Sequence, residues 1–184
     1  MGNAKAPNYA EETEAVTGAV DETVFREIMS GFPAGVTVVT AYDEQQAPYG
    51  LTVSAFCSVS TSPPLVLICL DESSDTLPAI WKAEAFTVNF LSAEHEDLAV
   101  RFASKGADKF SGLSYRAPAD QKAGPVLQEN CSAHIECQTH QAIAAGDHWI
   151  LVGRVTEGHA SEDISPLVYG ERNFAGWRQL VEST

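Results

Sequence analysis

The sequence predicts a mainly β domain, a closed β-barrel with short flanking helices. About seven segments are rich in the β-branched and aromatic residues that strands favour. One of them, residues 50–60, alternates between two kinds of side chain along its whole length. Only short helical segments separate these strands, whereas a fold built from βαβ units would need longer helices between its parallel strands.

Residues 1–20 are small, polar and acidic, and no hydrophobic period runs through them. We therefore expect a flexible acidic arm here, followed by one domain over residues 21–184. Asp21 is suited to cap a short helix, because apolar residues follow it at helical spacing. We expect this helix to end at Gly31.

The next two strands are predicted over residues 35–42 and 50–60, with a turn over residues 43–48 between them. We expect the second strand to be continuous until Pro63 and Pro64 break it. One face of this strand is apolar and consists of Leu51, Val53, Ala55, Cys57 and Val59. The other face carries Thr52, Ser54, Phe56, Ser58 and Ser60.

The rest of the chain continues in short strands and helices. Strands are predicted over residues 65–70, 86–91, 132–144, 148–159 and 166–169. Helices are predicted over residues 76–84 and 94–104. Gly146 and Asp147 are typical of a tight turn between the two long strands.

The composition disfavours two classes of partner. The chain has 184 residues, with 25 acidic and 11 basic side chains and a net charge of −14. Binding of nucleic acid depends largely on Lys and Arg meeting phosphates, so we expect no nucleic-acid partner. The same excess of acid disfavours docking on anionic membranes, and the sequence has no apolar run long enough for a transmembrane helix.

The cysteines indicate a reducing compartment. Residues 1–9 contain no apolar segment of the kind found in secretory signals. The four cysteines therefore predict reduced thiols in apolar strands rather than a disulfide framework. We expect a cytoplasmic protein.

The hydroxyl-bearing face of residues 50–60 is the first candidate binding surface. Its hydroxyls and backbone could contact a flat polar heterocycle, or the face could simply meet solvent. Solvent-facing strands usually mix in Lys and Glu, and residues 50–62 contain neither. We therefore expect something to cover this face.

His148 is the second candidate, at the start of a predicted strand. A histidine there can titrate near neutral pH and contact a substrate, or it can serve only as a turn residue. No nucleophile motif such as G-x-S-x-G accompanies it.

A set of possible metal ligands, spaced every three residues, comprises Cys131, His134, Cys137 and His140. On a strand, the two cysteines would share one face and the two histidines the other. A tetrahedral ion could not reach all four ligands without breaking the strand, so we predict no metal site.

Residues 101–122 reverse the overall sign of the charge. Their basic residues are Arg101, Lys105, Lys109, Arg116 and Lys122, against Asp108 and Asp120, which makes 5 − 2 = +3. Such a cluster is either a solvated face or a contact for a phosphate or dinucleotide. No G-x-G-x-x-G or Walker motif is present, so a Rossmann domain is not indicated.

Five segments are distinctive in their order and spacing: residues 32–40 (FPAGVTVVT), 50–60 (GLTVSAFCSVS), 86–91 (FTVNFL), 101–105 (RFASK) and 146–148 (GDH). With them the chain resembles the short-chain flavin reductases of two-component flavin-dependent monooxygenases. That family has a split, Greek-key-like, flavin-binding β-barrel. The resemblance runs from about Phe25 to Gly176.

The resemblance implies a homodimer that binds FMN or FAD and transfers a hydride to it from NADH or NADPH. The reduced flavin would then leave to serve a separate oxygenase. The cofactors carry this chemistry, and the protein must hold the nicotinamide and flavin rings in contact and exclude water.

The resemblance also implies site residues. The residues expected around the flavin ring are Thr37, Thr52, Val53, Ser54, Ala55, Ser58, Val59 and Ser60. Asn89 and Phe102 are also expected to bind the cofactor, and Tyr169 is expected near the nicotinamide pocket. Ser73 and Ser74 would approach the ribityl and phosphate end of the flavin, and Lys105 and Lys109 would meet phosphate charge. His148 would lie where the nicotinamide stacks.

Two other functions are compatible with these residues. One is a flavin-dependent oxidase of the pyridoxamine-phosphate oxidase type, in which flavin stays bound and oxygen is the oxidant. The other is a non-catalytic barrel that binds flavin or another ligand. The Gly-Asp-His motif favours the reductase.

Overall fold

The computed structural model describes residues 18–106 and 108–182, so most of the expected arm, residues 1–20, lies outside the described residues. Within these ranges the chain is mainly β, with ten strands in two antiparallel sheets and four α-helices. None of the helices in the described part of the chain is long and apolar enough to cross a membrane.

The elements follow one another in a simple order. They are α1 (Glu22–Ser30), β1 (Ala34–Gly35), β2 (Thr37–Tyr42), β3 (Pro48–Val53), β4 (Phe56–Thr61), β5 (Pro64–Asp71), α2 (Leu77–Ala83), β6 (Ala85–Leu91), α3 (Glu96–Ala103), β7 (Cys131–Ala145), β8 (His148–Ala160), β9 (Leu167–Gly170), β10 (Asn173–Gly176) and α4 (Trp177–Glu182). A short 3-10 turn, Gln128–Asn130, precedes β7.

The first helix forms where the sequence predicts it. The Asp21 carboxylate accepts a hydrogen bond from the Thr23 amide at 2.8 Å, which satisfies one of the free amides at the helix start. Gly31 ends the helix. None of the residues of α1 is buried, so its apolar side chains face away from the core of this chain.

The larger sheet has the strand order β3-β2-β6-β7-β8-β5-β4. Its two edge strands, β3 and β4, are consecutive in the chain and are joined only by Ser54 and Ala55. Consecutive Cα atoms lie about 3.8 Å apart, so this short link brings the two edges of the sheet close together. The sheet therefore curls so that its edge strands approach each other at this link, but β3 pairs with β2 and β4 with β5 rather than with each other, and the closed barrel stays a prediction. The smaller sheet has the order β1-β9-β10.

The prediction of one continuous strand over residues 50–60 is wrong. The strand stops at Val53 and a new one begins at Phe56, and the two pieces pair with different neighbours, β2 and β5. The side-chain parity changes across the break, because Phe56 packs against the core while Cys57 and Val59 are exposed. The predicted apolar face therefore ends at Val53.

The other predicted strands and helices are present, with ends shifted by a few residues. Gly146 adopts φ +64° in the turn that joins β7 and β8, a conformation that glycine adopts without steric cost. Two elements near the C-terminus, β10 and α4, were not predicted. The four residues of β10 are too few to show a period.

The core has two parts. The first lies inside the curled sheet and includes Phe86, Ile68 and Leu151, all fully buried. Gly153 of β8 allows the Phe86 ring to pack directly against the backbone, because a Cβ at this position would lie 2.5 Å from Cζ of Phe86. The second part lies where α3 packs on β2 and β3, and it includes Phe102 of α3 and Leu167 of the smaller sheet.

Residues 116–127, here called the strap, cross the outer face of β2, β6 and β7. Thr40 and Thr87 donate their hydroxyl hydrogens to the strap carbonyls of Pro125 and Gly124, each at 2.7 Å. A Cβ on Gly124 would lie 2.1 Å from the Thr40 carbonyl carbon, so only glycine fits there. Buried polar groups thus hold the strap against the sheet.

Candidate functional site

The loop after β5 and the turn before β8 lie side by side. The strands pair in a register that places Asp71 opposite His148. The Glu72 amide donates to the Asp147 carbonyl at 3.0 Å and ties the loop to the turn. The predicted phosphate residue Ser73 and the predicted nicotinamide residue His148 therefore share one end of the sheet.

Asp71 organises this end, although the motifs did not indicate it. Its Oδ1 accepts hydrogen bonds from the amide and the hydroxyl of Ser73, both at 2.7 Å. These bonds lower the pKa of Asp71, and the charges of His148 and Lys105 lower it further. The pattern Asp-x-Ser at a strand end is an Asx-turn signal that could have identified it. Ser74 follows, and its Oγ accepts from the Thr76 amide at 3.2 Å.

His148 is oriented by its neighbour. Its Nδ1 lies 2.7 Å from Oδ1 of Asp147, and its side chain is 43% exposed. A carboxylate at this distance favours the proton on Nδ1, which leaves Nε2 as the ring nitrogen available to a ligand. Asp147, the middle residue of the Gly-Asp-His motif, thus orients the histidine that follows it.

The link between β3 and β4 is exposed. Ser54 and Ala55 both reach solvent, and the Cys69 amide donates to the Ala55 carbonyl at 3.0 Å. Further along β4, Ser58 and Val59 are exposed at a bulge in the pairing with β5. Ser60 is half-buried, and its Oγ accepts from the Ser62 amide at 3.2 Å. That a ligand covers this surface stays a prediction.

Three other predicted flavin residues face into the fold. The Thr37 hydroxyl donates to the Val53 carbonyl at 2.6 Å, and the Thr52 hydroxyl donates to the Ala99 carbonyl at 2.6 Å. Val53 itself is 4% exposed and belongs to the core. These contacts fasten β3 to β2 and to α3. The three side chains therefore stabilise the β3–β4 link from the interior of the fold rather than from its exposed side.

Asn89 and Phe102 are fully buried. The Asn89 amide nitrogen donates to the Pro125 carbonyl at 3.2 Å, and its Oδ1 accepts from the Leu127 amide at 2.9 Å. Phe102 packs in the second part of the core, with its ring centroid 5.1 Å from that of Phe110. Asn89 therefore holds the strap, and neither side chain reaches the surface of this chain.

The two predicted phosphate lysines differ in environment. Lys105 is exposed and acts electrostatically on Asp71. Lys109 is half-buried, and its Nζ donates to the carbonyls of Gly50 at 3.1 Å and Phe102 at 3.0 Å. Burial lowers the pKa of Lys109, and the charge of Asp75 partly offsets this effect.

Two other basic residues of the 101–122 window serve the fold. Arg101 donates to backbone carbonyls, including that of Asp108 at 3.2 Å. Arg116 lies 3.5 Å from the buried carboxylate of Glu136. Lys105 and Lys109 interact electrostatically with Asp71 and Asp75, which lie at the end of β5 and in the loop after it, respectively.

Tyr169 lies in β9 of the smaller sheet, where its ring centroid is 4.9 Å from that of Phe174. It packs against the second part of the core. Its place near the nicotinamide stays a prediction.

The cysteine and histidine set on β7 is dispersed. Burial raises the pKa of the Cys131 and Cys137 thiols to about 12. His134 is buried and meets Arg116, while His140 is exposed. Across residues 18–106 and 108–182, no group of three or more His, Cys, Asp or Glu side chains could hold a metal ion.

The residues at this end fit a flavin nucleotide. Exposed backbone and hydroxyls at the β3–β4 link suit a flat ring with polar edges. Lys105 and Lys109 offer positive charge for a phosphate, and the Ser74 hydroxyl can donate to it, whereas the amide and hydroxyl of Ser73 already donate to Asp71. The fit is argued from the hydrogen-bonding groups of these residues. The register of β5 with β8 places His148 at the same end of the sheet.

Known proteins match this chain over most of its length. The family described as "Flavin reductase like domain" matches residues 29–178. A Streptomyces coelicolor protein named actinorhodin polyketide dimerase is 41% identical over 157 residues, 85% of this chain and 87% of its own length. A flavin reductase (NADH) from Kitasatospora aureofaciens is 40% identical over 161 residues, 87% of this chain and 84% of its own length.

A solved structure extends the likeness to three dimensions. The flavin reductase component of a bacterial two-component tryptophan halogenase superposes with a TM-score of 0.77 at 31% identity, over 85% of this chain and 98% of that chain. Other relatives are named as reductase components of monooxygenases. The sequence matches and the shared fold together show that the chain belongs to the flavin reductase like family.

Proposed function

We propose that the protein is an NAD(P)H:flavin oxidoreductase. It reduces FMN or FAD with NADH or NADPH and supplies the reduced flavin to a separate oxygenase component. The observation that carries this proposal is the register of β5 with β8, which places His148 beside the Ser73 loop and the charge of Lys105. The names of the relatives support the same activity.

Each element of the site has a role in this proposal. A bound flavin supplies the chemistry, since its ring accepts the hydride of the nicotinamide directly. The exposed β3–β4 link contacts that ring, and Thr37 and Thr52 hold the link rigid from behind. Ser73, Ser74, Lys105 and Lys109 bind the phosphate end. His148, held by Asp147, positions the nicotinamide so that the two rings are in contact.

We propose that the working form is a homodimer of split barrels. The apolar residues Phe25, Ile28 and Met29 of α1 are 54%, 62% and 47% exposed, and Trp177 of α4 is 54% exposed. Several large apolar side chains exposed together on one helix, as on α1, are typical of an interface. Sedimentation equilibrium at micromolar concentration tests the dimer.

The domain boundary and the location are further proposals. The family match starts at residue 29, which supports a domain over residues 21–184 and an arm ahead of it. The four cysteines form no disulfide, which supports a reducing, cytoplasmic location.

The decisive experiment is a steady-state assay that crosses NADH and NADPH with free FMN and free FAD. We expect nicotinamide oxidation that depends on added flavin. Absence of flavin-dependent turnover in all four combinations contradicts the proposed function. Tightly bound flavin that reacts with oxygen and an amine, without any nicotinamide, would instead indicate an oxidase.

A further inference from the structure

We infer that Asp71 keeps the affinity for a phosphorylated flavin low, so that the flavin can leave the protein after it has been reduced. This inference rests on the proposed function and names the residue that regulates the phosphate end of the site. Asp71 is the last residue of β5 and is exposed. It lies opposite His148, where the predicted phosphate and nicotinamide residues come together.

Asp71 occupies the hydrogen-bond donors of Ser73. Its Oδ1 accepts from the Ser73 amide and from the Ser73 hydroxyl, each at 2.7 Å. A hydroxyl has one hydrogen to donate, and a backbone amide also has one. A phosphate can therefore receive hydrogen bonds from Ser73 only if these donors leave Asp71. Hydrogen bonds to a charged acceptor are stronger than neutral ones, so the exchange opposes tight binding of the phosphate.

Asp71 also offsets the charge of Lys105. The hydrogen bonds from Ser73 lower the pKa of Asp71, and the charges of His148 and Lys105 lower it further. The carboxylate is therefore ionised at neutral pH. Because electrostatic interactions are reciprocal, it cancels part of the positive potential that the exposed Lys105 would present to a phosphate.

An ionised carboxylate beside a phosphate group weakens binding, because like charges repel. An asparagine at the end of β5 would accept from Ser73 without this repulsion and would leave the charge of Lys105 to the ligand. Tight binding alone would therefore favour asparagine over Asp71. A reductase that supplies a separate oxygenase must instead release its flavin, and a weakened phosphate contact permits that release.

The shape of the loop does not depend on the negative charge. The turn needs an oxygen acceptor at the position of Asp71, which an asparagine side chain also provides. Asp71→Asn therefore removes the charge and keeps the acceptor for Ser73. Glu72→Gln is the matched control, because Glu72 is the next residue, is also exposed and gives the same change in net charge.

The test measures flavin binding to the full chain by titration calorimetry. One ligand is riboflavin, which has the same ring but no phosphate, and the other is FMN or FAD, whichever supports faster turnover. We expect Asp71→Asn to lower the dissociation constant of the phosphorylated flavin about three- to tenfold at low ionic strength, and by less at high ionic strength. Riboflavin with Asp71→Asn, and both ligands with Glu72→Gln, should change by less than about twofold.

Steady-state kinetics provide a second readout. Asp71→Asn should lower KM for the phosphorylated flavin, whereas a variant that only disturbs the loop should raise it. Asp71→Ala, which removes the acceptor together with the charge, should tighten binding less than Asp71→Asn, because Ser73 then loses its fixed position. If Asp71→Asn lowers the melting temperature, Asp71→Ser offers another uncharged acceptor, with the same expected direction for the dissociation constant.

Three outcomes would overturn the inference. Unchanged or weaker binding of the phosphorylated flavin by Asp71→Asn would show that Asp71 does not hold the affinity down. An equal gain for riboflavin would place the effect away from the phosphate, and an equal gain with Glu72→Gln would reduce it to net charge. In all three cases flavin-dependent oxidation of nicotinamide would persist, so the proposed function would stand. Absence of that turnover in the wild-type protein would overturn the proposed function and, with it, this inference.

Discussion

The Arg116 guanidinium lies 2.8 Å from Nε2 of His134, a histidine that is only 4% exposed. This contact fastens the strap to β7. Since Arg116 donates, the imidazole accepts at Nε2 and carries its proton on Nδ1, so it is neutral. The Glu136 carboxylate completes the cluster, and the Ala119 amide donates to its Oε2 at 2.7 Å.

The neutral state of His134 predicts a pH dependence of stability. Burial lowers the pKa of His134, and the charges of Arg116 and His159 lower it further, against a smaller opposite effect of Glu157. The unfolded chain therefore binds the proton at a higher pH than the folded chain. The contribution of His134 to the free energy of unfolding is fully present above about pH 6.5. It is lost as the pH falls through the lower pKa of His134 in the folded state.

His134→Gln tests this dependence, because glutamine keeps an acceptor for Arg116 and does not titrate. We expect the melting temperature of the variant to fall less than that of the wild type between about pH 7 and pH 5. His140→Gln, at an exposed position of the same strand, should behave like the wild type. Equal slopes for all three proteins would contradict the role of His134.

Removal of Arg116 should destabilise the protein through Glu136. The Glu136 side chain is completely buried, and Arg116→Ala leaves its charge with the Ala119 amide as a remaining donor. We expect a loss of about 2–4 kcal/mol in the free energy of unfolding, at the lower end of losses for broken buried pairs because Arg116 is partly exposed. Urea denaturation measures the loss. The double variant Arg116→Ala, Glu136→Gln should recover part of it, and no recovery would argue against an electrostatic origin.

Asn89→Ala separates a role in the fold from a role in flavin binding. The substitution leaves the Leu127 amide without its acceptor and removes the donor to Pro125. We expect a loss of about 2–3 kcal/mol in stability and a dissociation constant for flavin unchanged within about twofold at a temperature where the variant is folded. Thr87→Val, which loses one strap bond, should cost less. A large change in flavin affinity with unchanged stability would place Asn89 at the flavin instead.

Lys105→Gln tests the phosphate contact. The side chain is exposed, so its attraction to a phosphate is screened by salt. We expect flavin affinity to fall about three- to tenfold at low ionic strength and by less at high ionic strength. Lys122→Gln is the matched control, because Lys122 is an exposed lysine of the same basic window. Equal effects of the two variants would indicate only a change in net charge.

His148→Ala should weaken the use of nicotinamide more than the binding of flavin. We expect kcat/KM for NADH to fall about tenfold, equivalent to one contact of about 1.4 kcal/mol, with a smaller change in flavin affinity. Asp147→Ala should produce a weaker effect of the same kind, because it frees the His148 ring without removing it. A His148→Ala variant with full NADH efficiency would show that the role assigned to this residue is wrong.

Much of the fold could be predicted because its signals are local. Asp21 and Gly31 mark the ends of α1, and Gly146 closes the turn between the two long strands. The strand over residues 50–60 could not be predicted correctly, since its alternation continues through a break that only the pairing of its two halves reveals.

For the candidate site, the sequence by itself determined which residue types are present: a Gly-Asp-His turn, two neighbouring serines and a basic window in an acidic chain. Only the tertiary structure decided what each of them meets. The register of β5 with β8 places Asp71 opposite His148. Asn89 instead bonds to the strap, and Arg116 pairs with the buried carboxylate of Glu136. The physical reason is that side-chain chemistry and hydrophobic periodicity are local properties of the sequence. The pairing of strands that are distant in the sequence depends instead on how the whole sheet assembles.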